Sequence, residues 1–446
     1  TENKYTITFD GNKPADSSAN VGGTTAEMKD VLYTTSINLT ANGFTLTGWT
    51  FTGWNTKADG KGTAYADEQE ISKLATKGEF KLFAQWQANT LNVTFVGNAP
   101  ADSTVSNMPN KLTATYDYAL ASPITVPAAN GYAFAGWFTA AVDGIQITDN
   151  SGKVIADVAG YLVSGKWARN EDVVLYATWT ANQYTITIDG KGGSFGELAG
   201  WTISEDLVSI STTVEYAKAI GTLPTVSKDG YTFAGYFTTE KTGTTASGTR
   251  IYETSKNLAY NGTVNAEARY TANTFKVHFD SNKGAASTSI VGSMEDITLT
   301  FDKEYTLPSN KFKLEGYAFQ GWSNSASGSV AYTDGKTLEV SEVNALYMGA
   351  TGSDVTFYAI WTANQYTITF VGGDHGTYNG NTKSVTFDGT IGDLPAGSEI
   401  TIDAGYDFVG WFTADGTKVE ETTKVTVAGP QTFTAHYKAS DGIAYT

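Results

Sequence analysis

Cysteine is absent from the 446 residues, which excludes disulfides, cysteine-bearing metal sites and thiol catalysis. Histidine occurs only three times, so the side chain best suited to proton transfer and metal ligation at neutral pH is nearly missing. Positive charge is also short: 29 Lys and Arg face 46 Asp and Glu, giving a net charge of −17. Nucleic acid needs a cationic footprint and anionic lipid a polybasic one, so neither is an expected partner. No apolar run approaches the roughly 20 residues of a membrane span, and no membrane insertion is expected within the chain. Nor does the N-terminus carry a charged segment followed by an apolar one, the mark of a signal peptide.

What is present is repetition. Hydrophobic residues make up 41% and aromatics 13%, enough for several packed cores rather than disorder. The stretch Gly131-Tyr-Ala-Phe-Ala-Gly-Trp137 returns as 230–236, 316–322 and 405–411, and first as Gly48-Trp-Thr-Phe-Thr-Gly-Trp54. Its second and fourth aromatics share one face of a strand. The closing Gly-Trp shifts the phase by one residue, which predicts a bulge or bend at that glycine.

Each unit opens with an alternating strand, such as Tyr5-Thr-Ile-Thr-Phe9 or Tyr366-Thr-Ile-Thr-Phe370. Starts at 5, 91, 184, 275 and 366 lie 86, 93, 91 and 91 residues apart. Period two with threonine on the wet face reads as a half-buried strand. Each unit closes on an alternating strand with a central alanine, as in Leu175-Tyr-Ala-Thr-Trp179; the small residue leaves room for the motif aromatics. Between opening strand and motif lies another β segment, ending near a proline in most units, for example Val385-Thr-Phe387 before Leu394-Pro395. Short helices are expected over 67–77, with Ile71 and Leu74, and over 340–348, with Val343, Leu346 and Tyr347. Residues 423–427 favour strand instead.

Five units follow: 1–89, 90–182, 183–273, 274–364, and 365–446 with a C-terminal tail. The joining segments, such as Gln87-Ala-Asn-Thr90 and Thr362-Ala-Asn-Gln365, are only four residues long, which favours an elongated rod over loose beads. Because Thr1-Glu-Asn-Lys4 matches such a join, the chain is expected to continue an array that begins before it, the alternative being a signal peptide cut at Thr1.

The ordered set Tyr-Thr-Ile-Thr-Phe, Gly-Tyr-x-Phe-x-Gly-Trp and Leu-Tyr-Ala-x-Trp resembles the internalin-type B repeat, or Listeria–Bacteroides repeat, over residues 5–437. Tyr236 in a tryptophan place, Trp49 in a tyrosine place and lighter closing strands in the third and fifth units are departures. The resemblance implies an α+β, strongly β-dominated fold: tandem β-grasp, ubiquitin-like units with a reduced helix. It further implies an extracellular or bacterial cell-surface setting, as a stalk or spacer between functional parts. A module contacting host protein or glycan, or a self-assembling filament using the tail 441–446, are the alternatives. The family brings no catalytic residues and no cofactor.

The residues themselves offer little chemistry. His278 and His436 sit on polar strand faces and His375 in a glycine-containing loop, without partners at a metal spacing. The glycines at 190–193 and 372–373 lack the Lys-Ser or Lys-Thr of a phosphate loop and read as turns. Asp59-Gly-Lys-Gly62, Asp143-Gly and Asp149-Asn-Ser-Gly152 are oxygen-rich, as calcium prefers, but none has a ladder ending in a bidentate glutamate, so turns are expected. Lys276 alternates to the polar face, away from any buried isopeptide partner. Trp137, Trp322 and Trp411 are expected in cores, and Tyr176 and Tyr358 on outer faces. No catalytic, cofactor-binding or metal residue is assigned.

Overall fold

Alternating apolar and β-branched residues build sheets throughout the computed structural model of the chain, which describes residues 2–242, 245–349 and 354–442. Contacts group the chain into two units, 1–191 with 195–225 and 235–268, and 192–194 with 226–234 and 269–446.

In the first unit, opening strand Lys4–Asp10 lies antiparallel to Met28–Leu32 and parallel to closing strand Gly78–Ala88. The far edge of the closing strand pairs antiparallel with the motif strand Trp49–Asn55. The second repeat has the same order: Leu112–Thr115, Thr90–Val96, Val173–Ala181, Tyr132–Phe138. In the third, Gln183–Asp189 lies between antiparallel Ser209–Glu215 and parallel Gly262–Ala272.

The second unit repeats the pattern twice. Thr274–Asp280 lies between Ile297–Thr300 and parallel Val355–Ala363, with Tyr317–Ser323 beyond. Gln365–Val371 lies between Lys383–Thr386 and parallel Gln431–Ala439, with Tyr406–Phe412 beyond. A parallel pair formed by the first and last strands cannot close through a hairpin, so each sheet is complete only when the whole repeat is present.

The repeated motif builds the core. Register shifts fall between Phe51 and Gly53, Phe134 and Gly136, Phe319 and Gly321, and Phe408 and Gly410. Those glycines have φ of 134°, 146°, 142° and 148°, values an L side chain rarely adopts. The bulge expected from the phase shift is therefore present. It places Trp54, Trp137, Trp322 and Trp411 opposite Ala84, Ala177, Ala359 and Ala435 of the closing strands. All four indoles are buried, as is Tyr236 in the third copy. The small alanine thus opposes the large ring, as expected from the closing pattern.

The helical expectations divide. Val340–Leu346 is a helix with Val343 and Leu346 buried, and the Glu342 carboxylate accepts from the Glu339 N–H at its start. The 67–77 segment is not one. There Glu70–Ile71 pairs with Ile37–Asn38 as a short bridge, and left-handed Glu68 and Lys73 (φ 54° and 60°) interrupt any helical run. Residues 423–427 form no continuous strand either; Lys424 makes one isolated bridge, to Thr390. Among the described residues, no helix is long and apolar enough to cross a membrane.

Candidate functional site: the joints between repeats

Closing strand Gly78–Ala88 and opening strand Thr90–Val96 leave one residue between them, Asn89. The same holds for Asn182, Asn273 and Asn364. The four-residue join of the sequence is therefore mostly strand, with a single asparagine as its corner.

That asparagine is stapled on both sides. Its N–H donates to the carbonyl of the first motif glycine of the repeat it leaves: Asn89 to Gly48, Asn182 to Gly131, Asn273 to Gly230 and Asn364 to Gly316, each at 2.9 Å. Its carbonyl accepts from the N–H of an aromatic residue in the repeat it enters: Tyr116 at 2.9 Å, Tyr216 at 2.8 Å, and Phe301 and Phe387 at 2.9 Å. The ring of that aromatic then covers the same glycine. A β-carbon built on Gly48, Gly131, Gly230 or Gly316 would come within 2.1, 2.4, 2.3 or 2.4 Å of it. Positive φ and lack of a side chain are both required there, which explains the glycine opening the first four motifs.

The second motif residue packs across the joint. Tyr132 meets Tyr216, Tyr231 meets Phe301 and Tyr317 meets Phe387 edge-on, with centroids 5.3, 5.5 and 5.7 Å apart. Two backbone hydrogen bonds and one aromatic pair contribute on the order of 3 kcal/mol per joint.

A carboxylate completes three joints. The Trp49 indole donates to Asp117 at 2.9 Å, and the Ser18 N–H to the same oxygen at 3.1 Å. The Tyr231 phenol donates to Asp302, whose other oxygen accepts from the Asn344 amide at 2.7 Å. The Tyr317 phenol and the Ser287 N–H both donate to Asp388 at 2.8 Å. The Tyr231 phenol and Asn344 amide hold the Asp302 carboxyl below its usual range. Burial and the Asp388 hydrogen bond push the Tyr317 phenol up to about 12. Burial opposes charge on Asp388, but the Ser287 and Tyr317 donors outweigh it and its carboxyl is lowered. Sequence reasoning missed these joints. Their signal was the aromatic-Asp pair recurring at 116–117, 301–302 and 387–388.

The other singled-out residues are dispersed. His278 faces a carboxylate with each ring nitrogen, Nδ1 donating toward Asp296 at 2.8 Å and Nε2 toward Asp354 at 3.2 Å, partners that strand spacing did not reveal. His375 stacks on Tyr406 and His436 on Phe412. Asp149 Oδ1 accepts from the Ser151 hydroxyl and the Ser151 and Lys153 N–H groups, and Asp59 Oδ1 from the Lys61 N–H. These are turn-stabilising bonds. Asp143 holds a left-handed turn position (φ 53°). The Asp189 carboxylate accepts from the Lys191 N–H in the 190–193 turn, and Gly373 has a φ of 70° in its own. Lys276 is exposed, and Tyr176 and Tyr358 are half-buried. Among the described residues, no three His, Asp or Glu gather as a metal site.

Comparison with known proteins agrees with the repeat. A "Gly-rich membrane protein" of Evansella cellulosilytica, so named provisionally, is 26% identical over 410 residues, covering 92% of this chain and 39% of that protein. A second provisionally named membrane protein of that organism is 24% identical over 74% of this chain and 40% of its own length. Internalin H of Listeria monocytogenes is 32% identical over 122 residues, 27% of this chain and 17% of that protein. The chain spans about two-fifths of the length of the two Evansella relatives. The Listeria-Bacteroides repeat domain matches residues 5–85, 92–159, 184–259, 275–360 and 366–436, and the chain belongs to that family.

Proposed function

We propose that the chain is a non-enzymatic stalk or spacer of a bacterial cell-surface or extracellular protein. Its repeats, bounded at 1–89, 90–182, 183–273, 274–364 and 365–446, act as β-grasp-like units in an elongated rod. The carrying observation is the backbone staple repeated at Asn89, Asn182, Asn273 and Asn364. A spacer needs fixed joints, and a one-residue corner held from both sides supplies them. The parallel pairing of opening and closing strands at the sheet centre supports the β-grasp name. The membrane-protein and internalin names of the relatives support a surface location. Small-angle scattering on the full chain tests the rod: a maximum dimension several times the cross-section is expected, and a compact particle would refute it.

A second reading, contact with a host protein or glycan, has one observation in its favour. Val96, Val142, Ile145 and Val174 of the second repeat are exposed apolar side chains. Binding of the full chain to host cells or a glycan array, abolished by Val174→Asp, would favour it; undiminished binding by that variant would remove Val174 from the reading. The filament alternative rests on the tail 441–446, of which residues 443–446 lie outside the described residues.

A further inference from the structure

The joint between the second and third repeats is built differently from the other three. Where Asp117, Asp302 and Asp388 stand, the third repeat has Ala217, in the same left-handed conformation: φ is 64° against 61°, 60° and 61°. The backbone keeps the latch geometry while the latch group is missing. Tyr132, which corresponds to Tyr231 and Tyr317, turns its phenol to the Ala101 carbonyl of its own repeat at 3.0 Å.

The carboxylate comes instead from the other side. Asp102 of the second repeat reaches Lys256 of the third at 2.6 Å and the Asn257 amide at 3.3 Å. The Asn257 side-chain oxygen accepts from the Ala217 N–H at 2.7 Å, which ties the pair to the empty latch position. Tyr132 and Tyr216 are the other titratable groups that bear on Lys256. The Lys256 and Asp102 side chains are 48% and 39% exposed.

Exposure changes how such a contact behaves. An ion pair in contact with solvent weakens as the Debye length falls from ~30 Å at 0.01 M salt to about 3 Å at 1 M. A neutral phenol or indole donating to a carboxylate has no second charge for salt to screen and is less sensitive to it. We propose that the joint between the second and third repeats is an ionic hinge: the Asn182 staple keeps its corner, and the swing about that corner is held narrow at low ionic strength and loosened by salt, while the three carboxylate-latched joints stay closed. Such a hinge would bend the array at one defined place, whether or not the array serves as a spacer.

The absence of native cysteine allows a direct test in the full chain. One dye pair on Val163→Cys and Tyr252→Cys reports the second and third repeats; a control pair on Val330→Cys and Val427→Cys reports the fourth and fifth. Single-molecule energy transfer should give a distance distribution about two-fold wider at 1 M than at 0.01 M salt for the first pair, and unchanged for the control. Lys256→Gln should be wide at both concentrations, and Ala217→Asp should stay narrow at 1 M by offering Tyr132 an acceptor across the joint in place of Ala101 of its own repeat. A first pair indifferent to salt, a control that widens equally, or a Lys256→Gln chain that keeps its salt response would each overturn the proposal.

Discussion

The ring of Phe387 lies over the α-carbon of Gly316, so close that a β-carbon there would come within 2.4 Å of it. The glycine belongs to one repeat and the ring to the next, so the motif's opening residue serves the joint rather than its own core. Gly316 also has a φ of 85°, which adds backbone strain to any substitution.

Those two costs can be separated. Gly160 has a φ of 75° but nothing within 4 Å of its virtual β-carbon. Gly160→Ala should therefore cost only the left-handed strain, about 1–2 kcal/mol. Gly316→Ala should cost more, roughly 3 kcal/mol or above, because the ring must also leave its seat. Urea unfolding of the full chain followed by hydrogen exchange at the Asn364 and Phe387 amides measures both. Equal costs, with those amides still protected, would mean that the ring contact contributes nothing.

Tyr317 gives the same joint an alkaline limit. Its phenol is raised to about 12 by burial and by the bond to Asp388, against about 10 in the unfolded chain. The folded state holds the proton more tightly, so this contribution is complete below pH ~10 and is lost between ~10 and about 12. Tyr317→Phe should remove that window and cost about 1–2 kcal/mol at neutral pH. Tyr132→Phe, whose hydroxyl bonds only within its own repeat, should leave its joint unchanged. Stability measured from pH 8 to 12 on both variants decides the point.

These joints mark where the sequence stopped being legible. Strand alternation, the bulge at Gly136 and the burial of Trp137 against Ala177 all follow from local period and side-chain size. The sheet order does not, because the parallel pairing of Tyr5 with Gly78 spans a whole repeat. The 67–77 segment misled because Ile71 and Leu74 have helical spacing, whereas left-handed Glu68 and Lys73 leave no visible mark in residue type. Asn89 could be seen recurring, but its two bonds are backbone bonds, and any residue type can make them. The Tyr116-Asp117 pair was in view as well, yet only the fold carries it to Gly48 and Trp49 of the preceding repeat.

His278 should give the fourth repeat a pH dependence of the same sign in a lower window. Hydrogen bonds donated to Asp296 and then Asp354 raise its imidazole above the ordinary histidine value of 6.5. A raised folded value means the charged clamp is complete below pH 6.5 and fades as pH rises through the folded value. His278→Gln should flatten the stability profile in that window and change little above it. Proton NMR of the three imidazoles follows the titration directly; a His278 midpoint at or below 6.5 would contradict the clamp.

The motif tryptophans offer a comparison within one chain. The Trp411 indole N–H donates to the Pro395 carbonyl at 2.8 Å and that of Trp137 to Thr125 at 3.2 Å, whereas the buried N–H groups of Trp54 and Trp322 have no hydrogen-bond partner among the described residues. Replacing any of them by alanine should cost about 3–5 kcal/mol, since each fills its core. Phenylalanine discriminates between them. At Trp411 it removes volume and strands the Pro395 carbonyl; at Trp322 it removes volume but also an unsatisfied donor, whose burial costs about 1–3 kcal/mol. Trp322→Phe should therefore be milder than Trp411→Phe by about 1–2 kcal/mol, read as local unfolding free energies from hydrogen exchange in each closing strand. If the two variants cost the same, the indole N–H of Trp322 is satisfied by water, and the advantage of the larger ring at all four positions is its area against the closing-strand alanine.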